Sequence, residues 1–133
     1  MIQRFLNMKI IQKIRHFTVD ELACPCCGAF NINESSLFKL DLLRESLGVP
    51  LVINSACRCS FHNEKVGGTK NSSHLVDNFD KKSFAFDVVV TDDSMRFQLV
   101  RKAMSLGFHR IGIYKNFVHL DDDLRRRSVI WYG

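Results

Sequence analysis

The sequence predicts an α+β domain, a small antiparallel sheet with flanking helices, on three observations. Phe84 to Val90 is a run of β-branched and aromatic residues suited to a buried strand. His109 to Tyr114 and Phe117 to Leu120 read as a hairpin turning at Lys115-Asn116. Two other stretches carry apolar residues at helical spacing, and each stops at a glycine. The resulting order of helix, strand, loop, strand, helix and hairpin is that of an α+β domain.

Taken in order, residues 1–33 form an irregular arm with one short helix. Thr18 followed by Glu21 resembles a capping box, and the run Cys24-Pro25-Cys26-Cys27-Gly28 closes the arm as a turn. Ser35 or Ser36 is expected to cap a helix reaching Leu47, with Leu40, Leu43 and Leu47 inward and Gly48 and Pro50 as its stop. Leu51 to Asn54 suits a short strand. Residues 55–82, rich in Gly, Ser, Asn and Lys, read as one long loop, and a loop of that length in a compact domain is usually functional or disordered. A second helix is expected from Thr91 or Asp92 to Leu106, facing inward through Phe97, Val100, Ala103 and Met104 and ending at Gly107. No repeat or low-complexity segment divides the chain, so residues 1–133 make one domain.

A chain of 133 residues can bury a core without staples. No apolar run approaches the ~20 residues that span a membrane, and the basic, amphipathic start lacks a signal-peptide core. The net charge of +5 gathers at Arg4, Lys9, Lys13 and Arg15 and again at Arg125, Arg126 and Arg127. A basic surface suits nucleic acid or a polyanionic wall polymer, but aromatic residues are not interleaved with it and no nucleic-acid motif is present. The five cysteines are an odd count, which fits a reducing compartment, or a metal or disulfide arrangement that leaves one thiol over.

Zinc is held by neutral imidazoles and carboxylates, and a catalytic site keeps one position open for water. His74 at the end of the polar loop, Asp87 within a strand and His119 within the hairpin are placed where such a site can form. Asp87 is the most informative, because a charge in the apolar run Ala85 to Val90 needs a cation, a metal or several donors. Taken singly, each residue is also compatible with a strand-end aspartate or a histidine satisfied by ordinary partners.

The words around these residues narrow the choice. Ser55-Ala56-Cys57-Arg58, His62-Asn63, Val66-Gly67-Gly68 and Ser72-Ser73-His74 follow one another, then Ser83-Phe84-Ala85-Phe86-Asp87 and Phe117-Val118-His119-Leu120-Asp121. This succession closely resembles the M15 peptidases, the D-alanyl-D-alanine carboxypeptidase and phage endolysin group. The likeness extends from about Phe17, through the cysteine-rich Glu21 to Gly28, to the Arg127–Trp131 spacing near the end. It implies the fold shared by these peptidases and hedgehog domains, with a zinc site on the sheet, and His74, Asp87 and His119 as the zinc ligands. It implies that Arg58 steadies the substrate and the developing oxyanion, a task a fixed guanidinium performs well. Ser72 is expected to support the loop presenting His74, and Asp121 to orient a histidine. The implied partners are peptidoglycan stem peptides containing D-amino acids, rather than nucleic acid or membrane, and the chain is expected to act as a monomer. The lack of an export signal fits a phage-borne lysis or tail enzyme.

The sequence departs from the family pattern in four places. His74 and Asp87 stand thirteen residues apart because of an insertion at Val76 to Lys82, and within it Asp80 is a rival ligand lacking the flanking alanine and apolar strand. Serine replaces the usual glycine at position 83. Asn116, Phe117 and Val118 occupy positions where relatives carry a glutamate or histidine base, which leaves Asp121, with His62 as an outsider. The alternative function is therefore a catalytically inactive, zinc-dependent binding module of the same fold. Finally, Cys57 stands where the family has tyrosine. With Cys24, Cys26 or Cys27, and Cys59 it completes a possible four-thiolate zinc site, an arm-to-loop disulfide, or a set of idle thiols.

Overall fold

The computed structural model describes residues 11–77 and 80–133; the basic positions Arg4 and Lys9 lie outside them. The elements are α1 (Val19–Leu22), α2 (Glu34–Leu47), β1 (Ile53–Ser55), α3 (Ser60–Lys65), β2 (Ala85–Val89), α4 (Asp93–Leu106), β3 (Arg110–Ile113), β4 (Phe117–Asp121) and β5 (Val129–Tyr132). The strands form one sheet in the order β1-β2-β4-β3-β5. This is the expected α+β architecture, and β1 to β4 pair antiparallel. The sheet also carries β5, which joins β3 in parallel and makes it mixed. Sequence patterning missed β5, a run of only four residues, Val129-Ile130-Trp131-Tyr132, that alternate between half-buried and exposed.

A strand turns successive side chains to opposite faces, and this alternation divides the sheet by function. Phe86 and Val88 of β2, Ile111 of β3, and Val118 and Leu120 of β4 are fully buried and join the core with Leu37, Leu40 and Leu43 of α2 and Leu99 and Ala103 of α4. Asp87 and His119 lie between those core residues in their strands, and so point to the other face.

The helices are capped as their chemistry requires. Asn33, rather than Ser35 or Ser36, caps α2, accepting the Ser36 N–H. Ser36 is instead buried, with its hydroxyl on Asp122. Gly48 and Gly107 end α2 and α4 with φ of 68° and 106°, a left-handed backbone that favours glycine. The inward stripe of α4 is rotated from the expected one: Leu99 and Ala103 are buried, while Phe97 and Met104 are 62% and 50% exposed. The helix offers two apolar stripes, and packing against α2 selects the one through Leu99. Residues 55–82 are also more ordered than a loop, since Cys59 caps the short α3 there.

Candidate metal centre

The register across all five strands builds the site. Ser55 of β1 pairs with Asp87 of β2, Asp87 with His119 of β4, His119 with Gly112 of β3, and Gly112 with Trp131 of β5. Cross-strand partners share a face, so these five residues form one row on the side away from the helices. Gly112 is needed in that row, because a Cβ there would stand 2.5 Å from the Trp131 indole. The indole thus packs beside the His119 ring, with centroids 5.1 Å apart.

His74 enters this row from the loop. Its backbone N–H donates to Ser72 Oγ, and Arg58 and Leu75 form a parallel bridge that fixes the segment. His74 Nε2 lies 3.2 Å from Asp87 Oδ1 and 3.3 Å from His119 Nδ1, and His119 Nδ1 lies 3.0 Å from Asp87 Oδ1. Ligand atoms on a tetrahedron with zinc bonds of 2.0–2.1 Å stand about 3.3 Å apart, so the donor set fits a zinc ion.

The outer nitrogens set which atoms face the centre. His74 Nδ1 donates to the Ala56 carbonyl at 2.8 Å, and His119 Nε2 donates to Asp121 Oδ2 at 2.7 Å. Each bond leaves the inner nitrogen with its lone pair directed at the centre. Ser83, where relatives have glycine, donates its hydroxyl to the same Ala56 carbonyl. Burial pushes the His74 pKa down. Burial works the same way on His119, but the Asp121 and Asp87 carboxylates outweigh it and hold its pKa above the usual imidazole value. Asp87 is also buried, yet the His119 and His74 nitrogens hold its carboxyl well below the usual range.

Arg58 is built into the same network. Its Nε donates to Ser55 Oγ, one terminal nitrogen to Asn63 Oδ1, and the other to Asp87 Oδ2 at 3.0 Å. Each terminal nitrogen keeps one further N–H. Gly68 makes this packing possible, since a Cβ there would lie 2.0 Å from Asn63 Oδ1. The centre opens into a cleft of about 470 Å³, lined by Arg58, Gly68, Thr69, Ser72, Tyr114, Phe117, Arg126 and Trp131 among others. Sequence reasoning singled out neither Arg110 nor Tyr114. Arg110 binds Asp121 and sits over Trp131, whose Nε1 donates to the Tyr114 hydroxyl. Their signal was the unread strand β5, which turns the hairpin into the wall of the cleft.

The two candidate bases stand differently toward the cleft. Asp121 lies behind His119, is 1% exposed, and spends its oxygens on His119, Arg110 and the Asp123 N–H. Asp121 lines the cleft, but these bonds commit its carboxylate to orienting His119. His62 is not among the residues lining the cleft. No carboxylate or imidazole among the described cleft residues is free of the ligand network. Asp80 stands apart and exposed in the insertion, where the Asp77 carboxylate accepts the Asp80 and Lys81 N–H groups.

The cysteines divide differently from the expected grouping. The sulfurs of Cys24, Cys26, Cys27 and Cys59 gather within 4.8 Å of one another. Cys57 is outside that group: it is buried in the core, and burial pushes its thiol up to about 12. Its side chain packs with the apolar residues, which removes it from the four-thiolate set read from the sequence. The basic run near the end is not a free patch, because Arg125 and Arg126 both pair with buried Asp123. No helix among the described residues is long and apolar enough to cross a membrane.

A family model described as Peptidase M15 matches residues 15–121, a span that includes Arg58, His74, Asp87, His119 and Asp121. No curated protein matches the chain.

Proposed function

The chain belongs to the M15 peptidase family, whose members are zinc peptidases, and we propose that it hydrolyses D-amino-acid peptide bonds in peptidoglycan stem peptides. The observation that carries this reading is the set of three ligand atoms 3.0–3.3 Å apart, oriented from behind and open to a cleft on one side. His74, Asp87 and His119 hold the zinc. A zinc ion there supplies a bound water with a pKa near ~7 and a Lewis acid for the scissile carbonyl.

The remaining work falls to the chain's own residues. Arg58 holds Asp87 in place and lines the cleft, where a developing oxyanion gains from a fixed donor. Arg126 also stands at the cleft wall, paired through its Nε with Asp123. Trp131 and the stacked pair Tyr114–Phe117 give the peptide an apolar wall.

One observation favours a second reading, a zinc-dependent wall-binding module. The cleft has no uncommitted carboxylate or imidazole to take a proton from water, which a peptidase normally requires. Mass spectrometry of muropeptides incubated with the zinc-loaded protein separates the cases. Loss of one terminal alanine identifies a carboxypeptidase, and an internal split identifies an endopeptidase. Unchanged peptides, together with zinc-dependent retention of the protein on peptidoglycan, identify the binding module and overturn the peptidase proposal.

A further inference from the structure

The cysteine group lies outside the cleft and has no part in the reaction above. Cys24 Sγ is 3.6 Å from Cys26 Sγ and 3.7 Å from Cys59 Sγ, and Cys26 Sγ is 3.3 Å from Cys59 Sγ. These separations are far beyond a disulfide bond of about 2.05 Å. Sulfurs on a tetrahedron around zinc, with Zn–S bonds of about 2.3 Å, stand about 3.8 Å apart. Cys27 Sγ completes the group within the 4.8 Å span.

The backbone is arranged for thiolates. The Cys24–Gly28 turn folds back on itself, with Gly28 N–H on the Cys24 carbonyl and Cys24 N–H on the Ala29 carbonyl. Gly28 has a φ of 74°, and its left-handed backbone returns the chain so that the Ala29 carbonyl meets the Cys24 N–H and closes the turn bearing the Cys-x-x-Cys pair Cys24 and Cys27. Sulfurs also accept backbone N–H groups: Cys59 N–H reaches Cys24 Sγ at 3.5 Å, and His62 N–H reaches Cys59 Sγ at 3.4 Å. Such donors stabilise sulfur carrying negative charge and orient metal-bound thiolates.

We propose that Cys24, Cys26, Cys27 and Cys59 bind a second zinc ion in a closed, four-thiolate site that fastens the amino-terminal turn to the segment carrying Arg58. Binding replaces the thiol protons with the metal, so it releases protons to solvent. Four protein ligands fill a tetrahedral zinc and leave no place for water, which makes the site structural. Its position gives it a task. Cys59 directly follows Arg58 and caps α3, which carries Asn63, the partner of the Arg58 guanidinium. The Cys57 N–H on the Leu22 carbonyl is the nearest other tie between arm and loop, so the metal would be the stronger clamp there.

The test is the zinc content, by plasma mass spectrometry, of wild type, a His74→Ala/His119→Ala variant and a Cys24→Ser/Cys59→Ser variant. The expected contents are about two, one and one zinc ions per chain, from closed and open sites that each hold one metal. Cobalt substituted into the histidine variant is expected to show the intense near-ultraviolet thiolate-to-metal band of a sulfur site. A wild type with one zinc that survives the histidine changes would sink the other site and keep this one. If the serine variant fails to fold, the cobalt spectrum and zinc release by a thiol-specific organomercurial in the histidine variant still decide. Zinc absent from the histidine variant, a cobalt spectrum without the thiolate band, or an intact mass short by the hydrogens of a disulfide would overturn the proposal.

Discussion

The two candidate metal-binding clusters of this chain differ in almost every respect. The His74–Asp87–His119 centre lies on a sheet face, is nearly buried, and opens to a cleft on one side. The Cys24–Cys26–Cys27–Cys59 group sits in a turn and a helix cap, with two of its residues exposed. In the first, three ligands are each steadied from behind by a side chain or carbonyl, and a fourth position stays free for water. In the second, four sulfurs, of which Cys24 and Cys59 accept backbone N–H groups, leave no free position. Ligand number therefore separates chemistry from architecture here more clearly than burial does.

The largest expected effect comes from breaking the open centre. His74→Ala or Asp87→Ala is expected to abolish metal-dependent hydrolysis, because removing one of three ligands removes the zinc; muropeptide turnover and zinc content are the measurements. Next, Arg58→Gln is expected to cost about 10²–10³-fold in kcat, the range for losing a fixed oxyanion donor. Asp121→Asn tests support from behind: zinc affinity is expected to fall about 10–100-fold, read by competition with a chromogenic chelator. Asp80→Ala, by contrast, should leave zinc content unchanged.

The pH dependence follows from His119. Its pKa is raised by Asp121 and Asp87, and a proton on Nδ1 competes with the metal. Apparent zinc affinity at the centre is therefore expected to rise with pH through and beyond about 6.5, the ordinary imidazole value. In Asp121→Asn the upper end of that rise should move to lower pH, because the group holding the proton is gone. A smaller effect, on stability and not on the ligands, is expected from Gly112→Ala. Crowding Trp131 should destabilise the fold by about 1–3 kcal/mol, seen in thermal unfolding, and loosen the cleft wall without removing a ligand.

Much of this comparison was legible in the sequence, and for identifiable reasons. Asp87 stands out because a carboxylate inside an apolar strand needs a partner, and its alternation with Phe86 and Val88 places it opposite the core. The helix stops were legible because Gly48 and Gly107 adopt backbone conformations that favour glycine. The strand β5 was not, since four half-exposed residues become a strand only through pairing with β3. The cleft wall that depends on β5, Arg110, Tyr114 and the packed Trp131, was hidden with it. The fourth cysteine was misassigned for a related reason. Cys57 is buried in the core while Cys59, two residues on, caps α3 beside the cysteine turn, and nothing in the spacing says which sulfur goes where. The insertion between His74 and Asp87 was legible in length but not in effect. Asn31 from the arm holds the Asp77 and Lys81 carbonyls, and the ligands on either side of the insertion still meet.

The most direct test of the central claim is hydrolysis of purified muropeptides by wild type stripped of metal, by the same protein after zinc is restored, and by His119→Ala after the same treatment. The account predicts cleavage only in the second sample. Equal cleavage by the stripped protein or by the variant would contradict the assignment of the three-residue centre as the seat of the chemistry.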